Sequence, residues 1–318
     1  LDQEEGANLI DVATDYFYRA CLTKDEVALE RSLAYAFQPL KLTGIKDSDV
    51  GIRYDYSFHQ HGPQLYIGGY GDELIKGITD FALNTAGTEY ELSGDKLDVM
   101  SKFVRNTYLK NLRGQYIHYN IMGRSVSRSG AMLKSGFSKY IDYMKTIDTT
   151  NASTYSDAVG RMNGSQAATY NIEPENILYP ISDYVVHLRK NYSYSVRAVS
   201  ERTAYVERGN GENTKAYYMT FGSTSMTTFG NEYRDIFPVW NWTRIPGTTT
   251  PQHTTIPQRS EWGIKGKGQF IGGVSDSLYA VMTYNFDVTT SSKTTKAKKS
   301  WFFFDDEIVC LGAGINSD

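Results

Sequence analysis

Two side chains suited to acid–base chemistry lie nine residues apart in one unusual stretch of the chain. Residues 54–71 contain His61 and Tyr70, together with further phenols, a second imidazole and an acid, interrupted by Gly-Pro and Gly-Gly steps. This composition is too polar for a core helix and too kinked for a central strand. It predicts a loop that presents side chains into a cleft, where catalytic groups are commonly held. The alternative is an aromatic loop whose histidines are only hydrogen-bonded.

Two arginines, Arg124 and Arg128, lie four residues apart further along the chain. A planar guanidinium binds carboxylate or sulfate through two parallel hydrogen bonds, so the pair suits an anionic ligand. Ordinary surface arginines would explain the same spacing. His59 lies two residues before His61, but no Cys or carboxylate stands at a zinc spacing. We therefore expect neither a metal site nor a cofactor.

The other polar residues of interest are predicted to be structural. We expect His118, His187 and His253 to be isolated structural or surface histidines, and Asp55 to anchor the loop rather than to react. The Gly-Asn-Gly sequence at 209–211 is typical of a hairpin turn.

Composition excludes several classes of protein. The 318 residues carry a net charge of −3, which argues against general nucleic-acid binding, although a local arginine cluster can still attract an anionic substrate. The sequence contains no run of 18 apolar residues, so it predicts no membrane span. Its two cysteines are far apart in the sequence and predict no disulfide framework. The sequence begins with Leu1 and shows no signal peptide, so we expect a part of a longer protein, cut at both ends.

The first half of the chain has helical patterning. Apolar residues recur at helical spacing from 9 to 20, and Thr-Lys-Asp-Glu at 23–26 has the form of a capping box for a second helix that Pro39 stops. Two further amphipathic segments lie at about 72–84 and 96–112. Paired helices joined by functional loops indicate a helical array or toroid with clefts at one end.

After about residue 172 the pattern changes to short β-branched and aromatic runs separated by Gly, Asn and Pro. Such runs without intervening helices predict an antiparallel sandwich; they are 184–188, 192–199, 216–221, 268–274, 278–286 and 301–311. The lysine-rich 292–300 stretch is predicted to be a solvated hairpin. The fold class is thus α+β, with a helical domain at 1–171 and an antiparallel β domain at 172–318.

Residues 55–62, Asp-Tyr-Ser-Phe-His-Gln-His-Gly, followed by Tyr70-Gly71, resemble the catalytic signature of the polysaccharide lyases that include chondroitin AC, hyaluronate and xanthan lyases. The similarity is greatest to the chondroitin AC lyases and extends along the chain in order. The further matching segments are 6–8, 123–128, 207–213, 237–242, 245–248, 272–276 and 301–316. The resemblance implies a partial α/α toroid followed by an antiparallel β-sandwich, in agreement with the patterning.

The resemblance also implies site residues. The positions that match the family's catalytic residues are Asn8, His61, Tyr70, Arg124 and Glu207. Arg128 and Asn210 match substrate-contacting positions, and Trp262 matches a sugar-stacking tryptophan with looser flanks. The family's earlier helices, which carry an aromatic platform, are missing from this chain.

The family's reaction is β-elimination next to a uronic acid. By resemblance, Asn8 and His61 hydrogen-bond the uronate carboxylate, as an oxyanion hole does. The resemblance also implies that Tyr70 would take the C5 proton and return one to O4. A phenol with a pKa near ~10 is a poor base at neutral pH, and a cation such as Arg124 favours its anion. Glu207 would hold Arg124. The competing assignment makes His61 the base and Tyr70 only the acid.

We therefore expect a secreted or periplasmic, monomeric lyase whose partner is an acidic polysaccharide, chondroitin sulfate or hyaluronan, with no nucleic acid or membrane partner. A lyase for another acidic polymer such as xanthan is an alternative. An inverting glycoside hydrolase would need two carboxylates facing each other across the cleft. A non-catalytic carbohydrate-binding fragment is the third possibility.

Overall fold

Helices make up the first part of the molecule and antiparallel sheets the second. A computed structural model describes residues 5–46, 48–251, 255–258, 262–268, 270–290 and 293–317; His253 lies outside them. The α-helices in these ranges are α1 Ala7–Thr23, α2 Glu26–Ala36, α3 Tyr70–Thr85, α4 Gly94–Phe103, α5 Ser138–Ile147 and α6 Ala152–Asn163. Helix α1 packs against α2 and α3, and α5 packs against α3 and α6. Within the described ranges, no helix is both long and apolar enough to cross a membrane.

The predicted helix from 9 to 20 is confirmed, because its apolar stripe is buried except for Tyr16, which is exposed. The predicted capping box is wrong. Helix α1 continues through Thr23, and Lys24 ends it in the left-handed conformation. The next helix is capped by Asp25, whose carboxylate accepts a hydrogen bond from the Ala28 N–H at 3.0 Å.

The segment predicted as one helix at 96–112 is divided into three parts. Helix α4 ends at Phe103, a π-helical turn follows at Val104–Tyr108, and a 3-10 turn occupies Leu109–Asn111. The apolar positions at 100, 103, 104 and 109 are buried, whereas Leu97 is only half-buried. The chain then forms a short antiparallel pair, β4 Leu112–Arg113 with β5 Tyr116–Ile117.

The stretch at 54–71 is only partly loop. A small sheet joins β1 Leu42–Thr43, β2 Gly51–Arg53 and β3 Phe58–His59, and α3 begins at Tyr70. Asp55 accepts a hydrogen bond from the Ile181 N–H at 2.9 Å, which confirms that it anchors the loop. The buried His59 lies 2.7 Å from the Ser182 hydroxyl. These contacts fasten the loop to the β region.

Within the described ranges, two four-stranded antiparallel sheets form the β region. The first contains β6 Glu175–Tyr179, β7 Tyr184–Leu188, β8 Ser193–Arg197 and β9 Ser223–Thr227. The second contains β10 Phe270–Ser275, β11 Ala280–Thr290, β12 Lys293–Phe303 and β13 Ile308–Ser317. Phe303 packs between them, with its ring 5.3 Å from His187 and 6.3 Å from Tyr194. The helical-then-antiparallel fold class is confirmed.

Three strand predictions are wrong in detail. Residues 216–221 form buried turns, and the strand lies at Ser223–Thr227. The 301–311 run is two strands, because the chain turns where the Phe304 N–H donates to the Glu307 carbonyl. Residues 293–300 belong to β12, which pairs with β11 as one arm of an antiparallel hairpin, so the predicted hairpin is confirmed while its full solvation is wrong. Buried and exposed positions alternate there, so Lys296 and Lys298 lie on the outer face.

A buried histidine makes stability depend on pH. His118 lies 2.8 Å from the hydroxyls of both Ser193 and Ser225, and burial lowers its pKa to about 3. An unfolded chain protonates histidine near pH 6.5, so between about pH 3 and 6.5 the unfolded state binds more protons. The free energy of unfolding should therefore fall by roughly 1 kcal/mol between pH 7 and 5.5 from this residue alone.

Urea unfolding at pH 7 and pH 5.5 measures this effect. In a His118→Gln variant the difference between the two pH values should shrink by roughly 1 kcal/mol relative to the unmodified chain, whatever the variant's stability at pH 7. An unchanged difference would show that His118 is already protonated in the folded state.

Candidate active site

Tyr70 is positioned by the start of helix α3. Gly69 precedes the helix with φ +106, and the Asp72 carboxylate accepts a hydrogen bond from the Gly69 N–H at 3.0 Å. A Cβ on Gly69 would lie 2.6 Å from the Tyr66 ring, so glycine is required for both its conformation and its size. Asp72 in turn accepts a hydrogen bond from Lys134 at 2.6 Å. These contacts fix the first turn of the helix, and with it the Tyr70 phenol.

His61 is held by a buried carboxylate from the β region. Its Nδ1 lies 2.7 Å from Glu207 Oε2, and the Glu207 side chain is 0% exposed while that of His61 is 21% exposed. The Glu207 N–H donates to Gln64 Oε1 at 2.6 Å, so the loop also fixes the backbone that carries the glutamate. The His61 ring contacts that of Tyr70 edge-on, with centroids 4.7 Å apart.

Arg124 joins these groups. It lies on the 3-10 helix Gly123–Ser127 and is nearly buried. Its Nη1 donates to Glu207 Oε1, its Nη2 to the Tyr70 hydroxyl at 3.2 Å, and its Nε to an oxygen of Glu212 at 2.9 Å. Each nitrogen of the guanidinium is therefore bound to a different residue, which fixes the plane of the group.

The contacts of His61 determine its tautomer. Nδ1 lies near both Glu207 Oε2, at 2.7 Å, and Arg124 Nη1, at 3.3 Å. An ionised carboxylate can only accept a hydrogen bond, and a guanidinium nitrogen can only donate one. The shorter contact assigns the proton to Nδ1, donated to Glu207. Nε2 is then an acceptor in the neutral ring and a donor in the protonated one.

The two arginines of this cluster are paired with two glutamates. Burial alone would raise the pKa of Glu207, yet the hydrogen bond from His61 and the pairing with Arg124 hold it below its usual value. For Arg124, burial opposes the charge, but hydrogen bonds to Tyr70 and Glu207 raise the pKa overall. The hydrogen bond from Arg128 lowers the pKa of Glu212. Both glutamates are therefore anions at neutral pH.

The two phenols at the site differ in accessibility. Tyr66 is fully buried and lies 3.1 Å from the Ser125 hydroxyl; burial, and next the charge of Glu207, raise its pKa. Tyr70 is only half-buried and lines a cavity of about 340 Å³. Tyr70 is thus the phenol that a ligand can reach. Other predicted residues lining this cavity are Asn8, Arg124 and Arg128.

The predicted substrate-contacting residues lie around the same cluster in different settings. Arg128 is 52% exposed and binds Glu212 through Nε at 2.6 Å and Nη2 at 3.0 Å. Trp262 is 41% exposed, with its ring 5.1 Å from that of His61 and 5.3 Å from the Arg124 guanidinium. Asn210 lies exposed at the tip of a turn with φ +53, so the hairpin interpretation of 209–211 is confirmed.

The sequence prediction did not include Glu212. This residue closes the hairpin, since its N–H donates to the Gly209 carbonyl at 2.8 Å, and its carboxylate binds both arginines. One signal could have found it. Two clustered guanidiniums near a cleft need more than one acid, and Glu212 follows Glu207 by five residues, across the Asn-Gly turn.

Comparison with known proteins gives the family. The model described as "Polysaccharide lyase family 8, N terminal alpha-helical domain" matches residues 2–160, and the one described as "Polysaccharide lyase family 8, super-sandwich domain" matches residues 174–318. A chondroitinase-AC of Pedobacter heparinus is 43% identical over 318 residues, which are 100% of this chain and 44% of that protein. A hyaluronate lyase of Enterococcus faecalis is 26% identical over 98% of this chain and 35% of its own length.

A solved structure of chondroitinase AC lyase from a study of its oligosaccharide complexes matches with a TM-score of 0.95 and 42% identity. The aligned region covers 100% of this chain and 46% of the solved chain, so the present chain spans about half the length of these relatives. The match confirms the expected fold, part of a helical toroid followed by an antiparallel sandwich. With both domain models matching in order, the chain belongs to polysaccharide lyase family 8.

Proposed function

We propose that the protein containing this chain cleaves a uronate-containing glycosaminoglycan, chondroitin sulfate and also hyaluronan, by β-elimination. The observation that carries the proposal is the junction at Arg124, whose guanidinium binds the Tyr70 phenol and the Glu207 carboxylate that holds His61. The similarity to a chondroitinase-AC supports the choice of polymer.

In this mechanism the acid group of the sugar is neutralised first. Removing the C5 proton places a second negative charge next to a carboxylate, so donors aimed at that carboxylate lower the barrier. Asn8, at the start of α1 and on the cavity wall, supplies an amide. His61 in its protonated form supplies a second donor, Nε2–H, while its Nδ1–H continues to donate a hydrogen bond to Glu207. One such donor is typically worth roughly 100- to 1,000-fold in rate.

Tyr70 then transfers the protons. Its phenolate, stabilised by Arg124 Nη2, takes the C5 proton. The C–H electron pair becomes the C4–C5 double bond as the C4–O4 bond breaks, and the new Tyr70 hydroxyl returns its proton to O4. One group can serve as base and acid when both protons lie on the same face of the sugar. His61 suits this role less, because its ring is committed to Glu207 and the carboxylate.

The inverting-hydrolase alternative is weaker on the same geometry. A hydrolase needs one protonated carboxyl group as the general acid and one carboxylate as the base. Glu207 and Glu212 both have lowered pKa values and both bind Arg124. Neither glutamate is therefore suited to donate a proton at neutral pH, which favours elimination.

Incubating the full-length protein with chondroitin sulfate tests the function. Elimination produces a 4,5-unsaturated uronate, so ultraviolet absorbance should rise in step with reducing ends. Reducing ends without this absorbance would mean hydrolysis. Binding of the polymer without either signal would mean a carbohydrate-binding protein.

Arg128→Ala should raise KM for chondroitin sulfate by about 10- to 100-fold with less effect on kcat, because the exposed guanidinium contacts the polymer but not the reacting atoms. Steady-state kinetics at fixed ionic strength measure both constants. Arg244→Ala, which removes an exposed arginine outside the cluster, is the matched control. An unchanged KM in Arg128→Ala would refute the assignment.

The proposal extends to the setting of the protein. A polymer of this size does not enter cells readily, so we place the enzyme outside the cytoplasm, secreted or periplasmic, and acting as a monomer. The boundary between residues 171 and 172, the sugar stacking on Trp262 and the substrate contact of Asn210 stay predictions.

A further inference from the structure

One carboxylate, that of Glu212, binds both arginines of the cleft. Its Oε2 accepts from Arg124 Nε at 2.9 Å and Arg128 Nη2 at 3.0 Å, and its Oε1 accepts from Arg128 Nε at 2.6 Å. The Glu212 side chain is 26% exposed, less than that of Arg128 at 52%. The glutamate is the more enclosed partner, so it is placed to hold the arginine rather than the reverse.

The contact with Arg124 determines where the rest of that guanidinium points. Because the group is planar, fixing Nε and Nη1 leaves one direction for Nη2. Glu212 holds Nε, Glu207 holds Nη1, and Nη2 meets the Tyr70 hydroxyl at 3.2 Å. Without Glu212 the guanidinium would be held at one nitrogen by a carboxylate and could turn away from the phenol.

The contact with Arg128 has a different consequence. Glu212 occupies the Nε and Nη2 edge, and within the described part of the chain Nη1 of Arg128 has no hydrogen-bond acceptor. Arg128 lines the cavity together with Tyr70 and Asn8. A flexible arginine loses considerable side-chain entropy when it binds a ligand, and holding one edge in advance reduces that loss.

The position of Glu212 is itself well fixed. It closes the 209–212 hairpin, where Asn210 and Gly211 both have positive φ, as a two-residue turn of this type requires. The Trp262 ring lies against Gly209, where a Cβ would come within 2.3 Å of the indole. The side chain of the next residue, Asn213, donates to the Glu207 carbonyl at 2.7 Å, which couples the hairpin to Glu207.

We infer that Glu212 is a positioning residue for both arginines: through Arg124 it aligns the group that stabilises the Tyr70 phenolate, and through Arg128 it presents one free guanidinium edge to an acidic group of the polymer. The inference rests on the proposed function and deepens it. It assigns one residue an effect on the chemical step and a separate effect on substrate binding, each transmitted through a different arginine.

A double-mutant cycle tests this inference on the full-length protein with chondroitin sulfate. Glu212→Gln keeps the size of the side chain but removes the charge, and it should raise KM about 10-fold and lower kcat about 10-fold. In an Arg128→Ala background the same change should leave KM unaltered while the loss of kcat persists. Glu201→Gln, at an exposed position of the β region, is the matched control and should change neither constant.

Equal KM effects of Glu212→Gln with and without Arg128 would overturn the inference, as would an unchanged kcat. Calorimetric binding of chondroitin sulfate to the same variants carrying Tyr70→Phe gives a readout that needs no turnover. If the wild-type protein forms no unsaturated product but binding still depends on Glu212 only when Arg128 is present, the proposed function is wrong and the positioning role through Arg128 stands. Normal turnover without coupling refutes the positioning role alone.

Discussion

Replacing Tyr70 by phenylalanine should lower kcat on chondroitin sulfate by about 1,000-fold or more. General acid–base groups typically contribute about 100- to 10,000-fold, and here one phenol is proposed to act first as base and then as acid. The substitution removes a single oxygen from a half-buried ring that packs edge-on against His61 and Tyr66. The ring contacts remain, so folding and polymer binding should be preserved.

The measurement is the initial rate of ultraviolet absorbance, together with polymer affinity by calorimetry. Tyr54→Phe is the matched control, because Tyr54 lies in the same stretch of chain but is 61% exposed and outside the cluster. Activity of Tyr70→Phe within about 10-fold of the wild type would refute Tyr70 as the proton-transfer group. His61 would then become the candidate base, with its Nε2 as the acceptor.

Much of the cluster was predictable because its residues are chemically distinctive. An imidazole and a phenol nine residues apart, and two arginines four apart, are recognisable without a structure, and the resemblance supplied Glu207 and Asn8. Which of these side chains bind one another was not predictable from their spacing in the sequence. That Arg124 divides its nitrogens among Tyr70, Glu207 and Glu212 depends on a hairpin from the β region folding over the helical loops.

The order of helices and strands was predictable from the periodicity of apolar residues. The prediction failed where a short segment fitted more than one local structure. Thr23 and Asp25 can both cap a helix, and the left-handed Lys24 decides in favour of Asp25. The lysine-rich arm of the β11–β12 hairpin was expected to be solvated throughout, because its lysines mask the buried positions between them. Its alternation of buried and exposed positions appears only once Ala297 and Trp301 are known to be buried.

Glu207→Gln should have the second large effect, lowering kcat by about 100-fold and destabilising the fold. Glu207 is the only group in the described cluster that contacts both Arg124 and the His61 Nδ1. Its carboxylate accepts the Nδ1 proton and so holds the imidazole that is proposed to donate from Nε2 to the uronate carboxylate. A neutral amide of the same shape accepts only a weaker hydrogen bond from Nδ1 and holds the ring less firmly, so the sugar carboxylate is less well neutralised.

The cost in stability has a separate origin. Glu207 is 0% exposed, and removing one member of a buried ion pair leaves its partner without compensation, which typically costs about 3–5 kcal/mol. Glu212 still contacts Arg124, and the glutamine oxygen still accepts a hydrogen bond, so the lower end of that range is expected. Urea unfolding at pH 7 would measure the loss, with Glu201→Gln as the control at an exposed glutamate.

The two readouts separate a catalytic arrangement from a merely structural one. If Glu207 only holds the fold together, lowering the assay temperature until the variant is fully folded should restore kcat, because all molecules would then be active. If it orients His61 and Arg124, the folded variant should remain about 100-fold slower at every temperature. Full recovery on cooling would therefore remove Glu207 from the mechanism and leave Arg124 and Tyr70 to account for the chemistry without it.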